Sequence, residues 1–465
     1  MPDETPATDD LRAPLPLSEE SVETLEANEE APPQRVVKSG GTFESFRYRD
    51  FSLFWAGAFI SNTGSWMQNY ALAIVVYALR RSEFDSGMVN FVSGIPILFL
   101  ALPAGALADK VDKKSLLILS QFVLGLQAVA LAILYTGGHL SPGQGSPVSA
   151  LLWIGGLGLI GGIMSALTFP AWQSLLPDIV PKDNLLNAIA LNSAQFQSAR
   201  LLGPLAAAGM VLVGAGMGEI FWVNAASFLF VIASLWAINP RPSGERAAGG
   251  PPAGTKREGS WRTLTAGLRY ARENGFIGVL IISTAIMTVF GMPYMMLLPA
   301  YADKVLGGGK ELTTSWTAYL MAANGLGAVA GALVVASLGK GTNRGRIIPW
   351  AMVAFAVTLI AFSRSHWLWL SIVLSTIGGA GVLTINSLTN TTIQANAPGR
   401  LRGRVMALFV MAFMGIMPVS SLIFGTLGRT IGPGNAILVG AIVLLGWGLF
   451  LVAKPKLLQE TPPAA

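Results

Sequence analysis

Arg200 is the one charged side chain that sits well inside an apolar stretch of this chain. It lies in NSAQFQSARLLGPLAAAG, where Asn192, Gln195, Gln197 and Ser198 extend polarity along the same segment, though not all on one face. A lone arginine at the centre of a membrane helix costs about 2.5 to 3.5 kcal/mol on insertion scales, so it must face protein or water. A guanidinium held there can attract an anionic substrate or order a polar network. The alternative is a structural arginine that caps carbonyls of a neighbouring helix. A second group of charges, DKVDKK at 109–114, interrupts one of the most apolar regions. Five such groups at a bilayer centre would be prohibitive, so they form a tight loop. Asp112 can cap a helix that begins near Lys113. Asp109 has no such role: it follows a helix ending near Ala108, where the negative end of the dipole disfavours an acid. It needs a positive partner elsewhere.

Other chemistries are poorly supplied. There is no cysteine, so thiolate metal sites and disulfides are excluded. The two histidines, His139 and His366, lie beside expected loops and read as solvated. Outside an acidic first segment there are fifteen acids, none in the middle of an apolar stretch; Asp85, Glu219 and Asp303 sit at edges. A buried carboxylate with a raised pKa is the natural proton carrier of a pump. Coupling therefore uses an edge group, or the protein is not a simple proton antiporter. No Walker motif accompanies the apolar segments, which argues against direct ATP drive. No nucleophile, base or metal cluster converges, so an enzyme is not expected, nor any cofactor.

The elements that must position these residues are membrane helices. The chain is 52% hydrophobic and only 12% charged over 465 residues, with a mean hydropathy of +0.56, against roughly 25% charged in soluble domains. Twelve stretches are long enough to span a hydrocarbon core, which takes about 20 helical residues. They run from Phe51 to Leu79, Asp85 to Ala108, Ser115 to Tyr135, Val148 to Phe169, Ala188 to Val213 and Ile220 to Ile238. The second six run from Phe276 to Ala300, Thr314 to Leu338, Ile347 to Ser363, Trp367 to Thr391, Val405 to Leu427 and Ile431 to Ala453.

Basic residues crowd alternate loops. One face has Arg47 and Arg49, Lys110, Lys113 and Lys114, Arg344 and Arg346, and Arg400, Arg402 and Arg404. The other has only Arg80, Arg81, Lys304, Lys310, Arg364 and Arg429. The positive-inside rule then puts both termini in the cytoplasm. The net charge of +6 describes orientation, and no nucleic-acid partner is implied. Residues 1–45 read as a disordered acidic tail, 46–238 as a first six-helix half and 239–272 as a flexible linker. The linker ends in WRTLTAGLRYAREN, a candidate short amphipathic helix at the lipid interface. Residues 273–454 form a second half, and 455–465 a cytoplasmic tail. Weak internal echoes, such as Pro181 with Leu191 and Pro398 with Leu408, fit the repeat pattern of a secondary transporter.

Four stretches carry a resemblance to the major facilitator superfamily, in its bacterial drug and siderophore exporter branch of enterobactin-exporter and macrolide-efflux types. They are FRYRDFSLFWAGAFISNTGSWMQNYAL, GALADKVDKK, PAWQSLLPDIVPKDNLLNAIALNSAQFQSARLLGP and APGRLRGRVMALFVMAFMGIMPVSSLIFGTL. The resemblance implies an all-α membrane protein with twelve transmembrane helices in two pseudo-symmetric six-helix halves. It makes Gly105, Asp109, Lys110, Lys113 and Lys114 the loop signature between helices 2 and 3. A contact from Asp109 to Arg402 and Arg404 would latch the halves on the cytoplasmic side. Gly203 and Pro204, beside Arg200, resemble the exporter signature of helix 5. Two features depart from the family pattern: Asp112 stands where glycine is frequent, and LLWIGGLGLIGGIMSALTF lacks the helix 4 arginine common in proton-coupled drug antiporters.

Helices 1, 4, 7 and 10 line the cavity of that fold. Trp66, Gln68, Asn69, Asn192, Gln195, Met292, Tyr294, Met295, Asn386 and Asn390 are accordingly the candidate cavity residues. Ordinary helix packing is the competing reading for each. The implied function is secondary active export of a small amphipathic compound (drug, macrolide-like or siderophore) in exchange for protons, by a monomer in the bacterial cytoplasmic membrane. An uptake or facilitated-diffusion carrier of the same fold is one alternative. A non-transporting receptor or scaffold using the acidic tail is another.

Overall fold

The computed structural model describes residues 41–108, 111–240, 260–338 and 344–458. Regular structure among them is entirely helical, because in hydrocarbon every backbone N–H and C=O must be satisfied within its own segment. The first six long helices are α1 (Arg49–Arg80), α2 (Glu83–Ala108), α3 (Lys113–Thr136), α4 (Pro147–Ile179), α5 (Leu185–Leu212) and α6 (Met217–Ala237). The next six are α7 (Gly275–Met295, continued by Leu298–Lys304), α8 (Gly309–Ser337), α9 (Arg344–Arg364), α10 (Leu368–Asn396), α11 (Leu401–Ile431) and α12 (Pro433–Ala453). Nine described helices are long and apolar enough to cross a membrane: α3, α4 and α6 through α12. The other three, α1, α2 and α5, are long helices of 32, 26 and 28 residues.

The packing repeats itself. In the first half α2 packs on α4, α1 on α6, and α3 on both α4 and α6; in the second, α8 packs on α10, α7 on α12, and α9 on both α10 and α12. Each pairing in one half has its counterpart six helices later. The halves meet through α2 against α11 and α5 against α8, two contacts related by the same shift.

Three details depart from the sequence expectations. Helix α4 continues ten residues past Phe169, through Pro170 and Pro177, to Ile179. Helix α7 is broken rather than continuous: a π turn covers Met287–Gly291 and a 3-10 turn Met292–Met295. Pro293 has no N–H to continue the ladder, and π turns accommodate such interruptions. A second π turn covers Met411–Gly415 in α11, just before Pro418. The linker segment does form a helix, Ser260–Glu273, which packs against the start of α11 with Gly267 facing the Arg404 carbonyl. The expected acidic tail lies almost wholly outside the described residues.

Helix α1 is set beside α5 by polar contacts at its start. The Ser45 N–H donates to Asn187 Oδ1 (3.0 Å), Tyr48 Oη to Asn184 Oδ1 (3.1 Å) and Trp55 Nε1 to the Leu191 carbonyl (3.0 Å). Higher up, α5 crosses α1 so closely that a Cβ at Gly203 would come within 2.4 Å of Trp66 Cβ and 2.9 Å of the Thr63 carbonyl. Such close approach is what small residues permit at membrane helix crossings. Gly209, one and a half turns on, has open space around it. Gly203→Val should therefore lower the melting temperature of the purified protein by several degrees, the overpacking penalty being about 1 to 3 kcal/mol, while Gly209→Val should change it little. Equal effects of the two substitutions would show that the crossing is not tight.

Candidate functional site

The structure surrounds Arg200 with both halves. Arg200 lies fifteen residues into α5 and twelve from its end, close to the middle of the helix. Its guanidinium sits over the Trp66 ring of α1 at 5.7 Å, within cation–π range. Nη2 donates to Asn324 Oδ1 of α8 and lies 3.2 Å from Met295 Sδ of α7. The Asn324 amide in turn donates to Tyr294 Oη of α7, and it approaches the Ser375 carbonyl of α10 at 3.5 Å. Asn324 is fully buried and Tyr294 is 2% exposed. One first-half cation is therefore held by α1 on its own side and by α7 and α8 on the other.

The tie has a steric basis. Gly325 lets α8 approach α5 so closely that a Cβ there would meet Leu201 Cα at 2.7 Å and the Arg200 carbonyl at 3.0 Å. Two N–H donors of α5 stay without acceptors: Arg200 Nε and Gln195 Nε2 are both buried and unbonded. Gln195 Oε1 accepts from Asn62 Nδ2 of α1 (3.3 Å). Among the described residues no carboxylate pairs with Arg200, and every acid in the long helices lies within about one turn of a helix end.

Of the residues expected at a cavity, Trp66 and Met295 meet Arg200 directly and Tyr294 joins it through Asn324. Gln68 does not: its Oε1 accepts from Asn224 Nδ2 (2.8 Å) inside the α1–α6 contact. Asn69 is exposed, and Asn192 faces Trp172 of α4 at 3.5 Å. Met292 is buried in the second-half core. Asn390 accepts from Gln394 along α10, and Asn386, half-buried on the same helix, has no contact with the Arg200 group among those described. Asn324 was not anticipated, since a single asparagine in YLMAANGLGAVAG gives no periodic or motif signal.

Outward from this tie the halves stay in contact to the face that carries the α1–α2 and α7–α8 connections. Tyr70 Oη of α1 donates to the Thr314 carbonyl of α8 (2.8 Å). Gly94 of α2 meets Pro418 of α11, and Gly87 meets the Ser421 carbonyl. At the rim, Arg81 pairs with Asp303, which also accepts from Tyr77 Oη (2.7 Å), and Lys304 pairs with Glu83 (2.7 Å). Both carboxylates are nearly buried, Glu83 at 1% and Asp303 at 5% exposure. Arg81 takes the left-handed conformation (φ 49) to end α1 and turn its side chain to this cluster. These two pairs cross between halves in opposite senses, acid to base and base to acid, and close this face.

On the opposite face the described ion pairs stay within a half. Lys113 bonds Asp178 Oδ2 and the Ser174 carbonyl of α4, both at 2.6 Å. Lys114 donates to the Trp236 and Ile238 carbonyls (3.2 and 2.7 Å), satisfying the C-terminal end of α6. Orientation is thus only part of what these lysines do. Asp112 caps α3, its Oδ2 accepting from the Ser115 N–H (2.8 Å), and hydrogen bonds from the Ser115 hydroxyl and amide hold its carboxyl below the usual carboxylate range. Gly105 falls within α2, Asp109 and Lys110 lie outside the described residues, and Arg402 and Arg404 fall in the first turn of α11.

The rim pairs yield a test. Each pair joins a nearly buried carboxylate of one half to a half-exposed base of the other, so neutralising the acid removes the attraction that draws the two halves together at the rim. Glu83→Gln and Asp303→Asn should each increase the labelling, by a membrane-impermeant maleimide, of a cysteine placed at Thr317, which is fully buried one turn beyond Thr314 in this cysteine-free chain. Unchanged labelling in both variants would show that the pairs do not hold the face shut.

Comparisons with known proteins agree with this architecture. The family described as transmembrane secretion effector matches residues 40–461. The enterobactin exporter of Escherichia coli O1:K1 is 21% identical over 413 residues, covering 87% of this chain and 92% of that protein. The enterobactin exporter of Shigella boydii serotype 18 is 22% identical over the same coverage. Among solved structures, a POT family transporter in complex with a thioalcohol-conjugated peptide superposes with a TM-score of 0.66 at 12% identity, over 88% of this chain and 97% of the other. A D-xylose–proton symporter superposes at 0.64 and 12% identity, over 90% and 98%.

Proposed function

Because the chain belongs to the transmembrane secretion effector family of the major facilitator superfamily, we propose that it exports a small amphipathic compound from the cytoplasm in exchange for protons, by alternating access. The fold is that of a multi-pass membrane transporter, and the family and the relatives it matches are transporters rather than enzymes. The observation that carries the reading is the Arg200 group: a half-buried cation at the middle of α5, held by both halves where they meet. Likeness to enterobactin exporters favours outward movement and keeps siderophores among the candidate substrates, beside drugs and macrolide-like molecules. The excess of basic residues on the face of the α2–α3 and α10–α11 loops supports cytoplasmic termini. On that orientation the Arg81–Asp303 and Glu83–Lys304 pairs would form an extracellular gate.

The cytoplasmic gate would be the contact from Asp109 to Arg402 and Arg404 that the family resemblance implies. Interfaces of this kind switch between discrete packings rather than deforming continuously. An export cycle then alternates two sets of inter-half ion pairs around a fixed Arg200. The edge acids Glu83 and Asp303 are the carboxylates best placed to meet protons from outside.

Imposing an outwardly directed proton gradient (lumen acidic) on inverted vesicles should stimulate uptake of a siderophore or drug substrate, while stimulation by sodium alone would contradict proton exchange. Asp109→Asn should shift the protein toward the state described here, measured as lower labelling of the cysteine at Thr317 under turnover. No shift would remove the cytoplasmic latch from the scheme.

A further inference from the structure

The Arg200 site has an unbalanced charge, and the imbalance specifies what fills it. The guanidinium is met by a ring face, a thioether and one amide oxygen, none of which carries a formal charge. Its Nε has no acceptor, and neither does Gln195 Nε2, about 7.5 Å back along the same helix at 1.5 Å per residue. The unmet groups on this helix are thus N–H donors with a positive charge among them. Burying an unpaired charge is costly, and nature retains one where a ligand supplies the counter-charge. The long helices offer no alternative, because their acids lie near the ends and the described ion pairs of those acids are made at the rims.

Resting on the export reading above, we propose that the transported compound crosses the membrane as an anion whose negative charge pairs with Arg200. Asn324 is the placeholder. In this structure its Oδ1 accepts from Nη2, and a bound carboxylate, sulfonate or phenolate takes that bond over with a stronger, charge-assisted one. The displaced Asn324 amide keeps its bonds to Tyr294 and α10, so exchange at one oxygen alters the tie between halves. Substrate binding and loosening of the α5–α8 contact are then one event. Trp66 and Met295 offer an aromatic and a thioether surface to the apolar part of the same compound, which accounts for amphipathic rather than inorganic cargo.

An energetic consequence separates this from transport of neutral or cationic drugs. An anion leaving a cell with a negative interior moves down the electrical gradient, so its export responds to membrane potential even without a pH gradient. Counting the anion's single charge alone, a potential of about 100 mV favours accumulation on the positive side about 50-fold, and a counter-moving proton would add to that drive.

The test uses the full chain in liposomes with a valinomycin potassium potential of about 100 mV, lumen positive, and no pH gradient. The probes are dansylglycine, an anion, and dansylglycinamide, its neutral counterpart, each measured against protein-free liposomes. The expected result is protein-dependent accumulation of dansylglycine that collapses when the potential is dissipated, with little effect of potential on the amide. Arg200→Gln should abolish accumulation of the anion, and Arg200→Lys, which keeps the charge, should restore part of it. Equal, potential-independent movement of both probes would overturn the anion assignment while leaving the export reading in place. Movement of neither probe by wild-type protein that does carry a cationic dye, rhodamine 6G, would overturn it as well. Failure to move any of the three would count against the export reading, and the anion assignment would fall with it.

Discussion

A guanidinium in mid-membrane cannot be left to lipid, and satisfying it determines how the two halves of this protein meet. Arg200 needs more partners than its own half supplies. Trp66 gives it a ring face, but the hydrogen-bond acceptor comes from α8, and the thioether beside it from α7. Those partners must come close, which requires Gly203 where α5 crosses α1 and Gly325 where α8 crosses α5. The break in α7 at Met287–Met295 belongs to the same requirement, since it places Tyr294 against Asn324 and Met295 against Arg200 within one turn. The polar group and the close crossings are parts of a single constraint.

The remaining inter-half contacts extend that tie to one face. Apolar close approaches come first, Gly94 on Pro418 and Gly87 on the Ser421 carbonyl, then the two nearly buried carboxylates at the rim. Because the contacts pair α2 with α11 and α5 with α8, they obey the same six-helix shift that relates the packing inside each half. A rocking motion about the pseudo-symmetry axis would therefore part α2 from α11 and α5 from α8 together. Ion pairs suit such a boundary: they are strong when dry, and water replaces them readily once the rim opens.

Much of this was legible in the residues alone. Hydropathy located the long helices, including the short Ile347–Ser363 stretch, which extends to Arg344–Arg364. Arg200 stood out because its surroundings are apolar, and of the residues expected at a cavity Trp66 and Met295 lie against it while Tyr294 reaches it through Asn324. The partner of Arg200 was not legible. Asn324 is a lone amide in a small-residue segment 124 positions away, and only the three-dimensional crossing gives it a role. The rim pairs had the same character: Asp303 read as an edge acid, Arg81 and Lys304 as loop cations and Glu83 carried no reading, and their pairing spans more than 200 positions. Gln68 misled because a polar side chain in a membrane helix signals a polar partner without saying which; here it is Asn224 in the same half. Local breaks were missed for a related reason. Pro293 was visible, but whether a proline kinks a helix or sits in a π and 3-10 turn depends on what α8, α9 and α12 pack around it.

The dependence of the inter-half contact on one cation can be measured by a double-mutant cycle. Purified wild type, Arg200→Met, Asn324→Leu and the double variant would be compared for thermal stability in the same detergent. If the tie is as described, each single change strands a buried polar partner and lowers the melting temperature, and the double change costs clearly less than the sum, with a coupling of about 0.5 to 3 kcal/mol. Additive losses would contradict the account, because they would mean that Arg200 and Asn324 act independently and that the halves are held together by their other contacts.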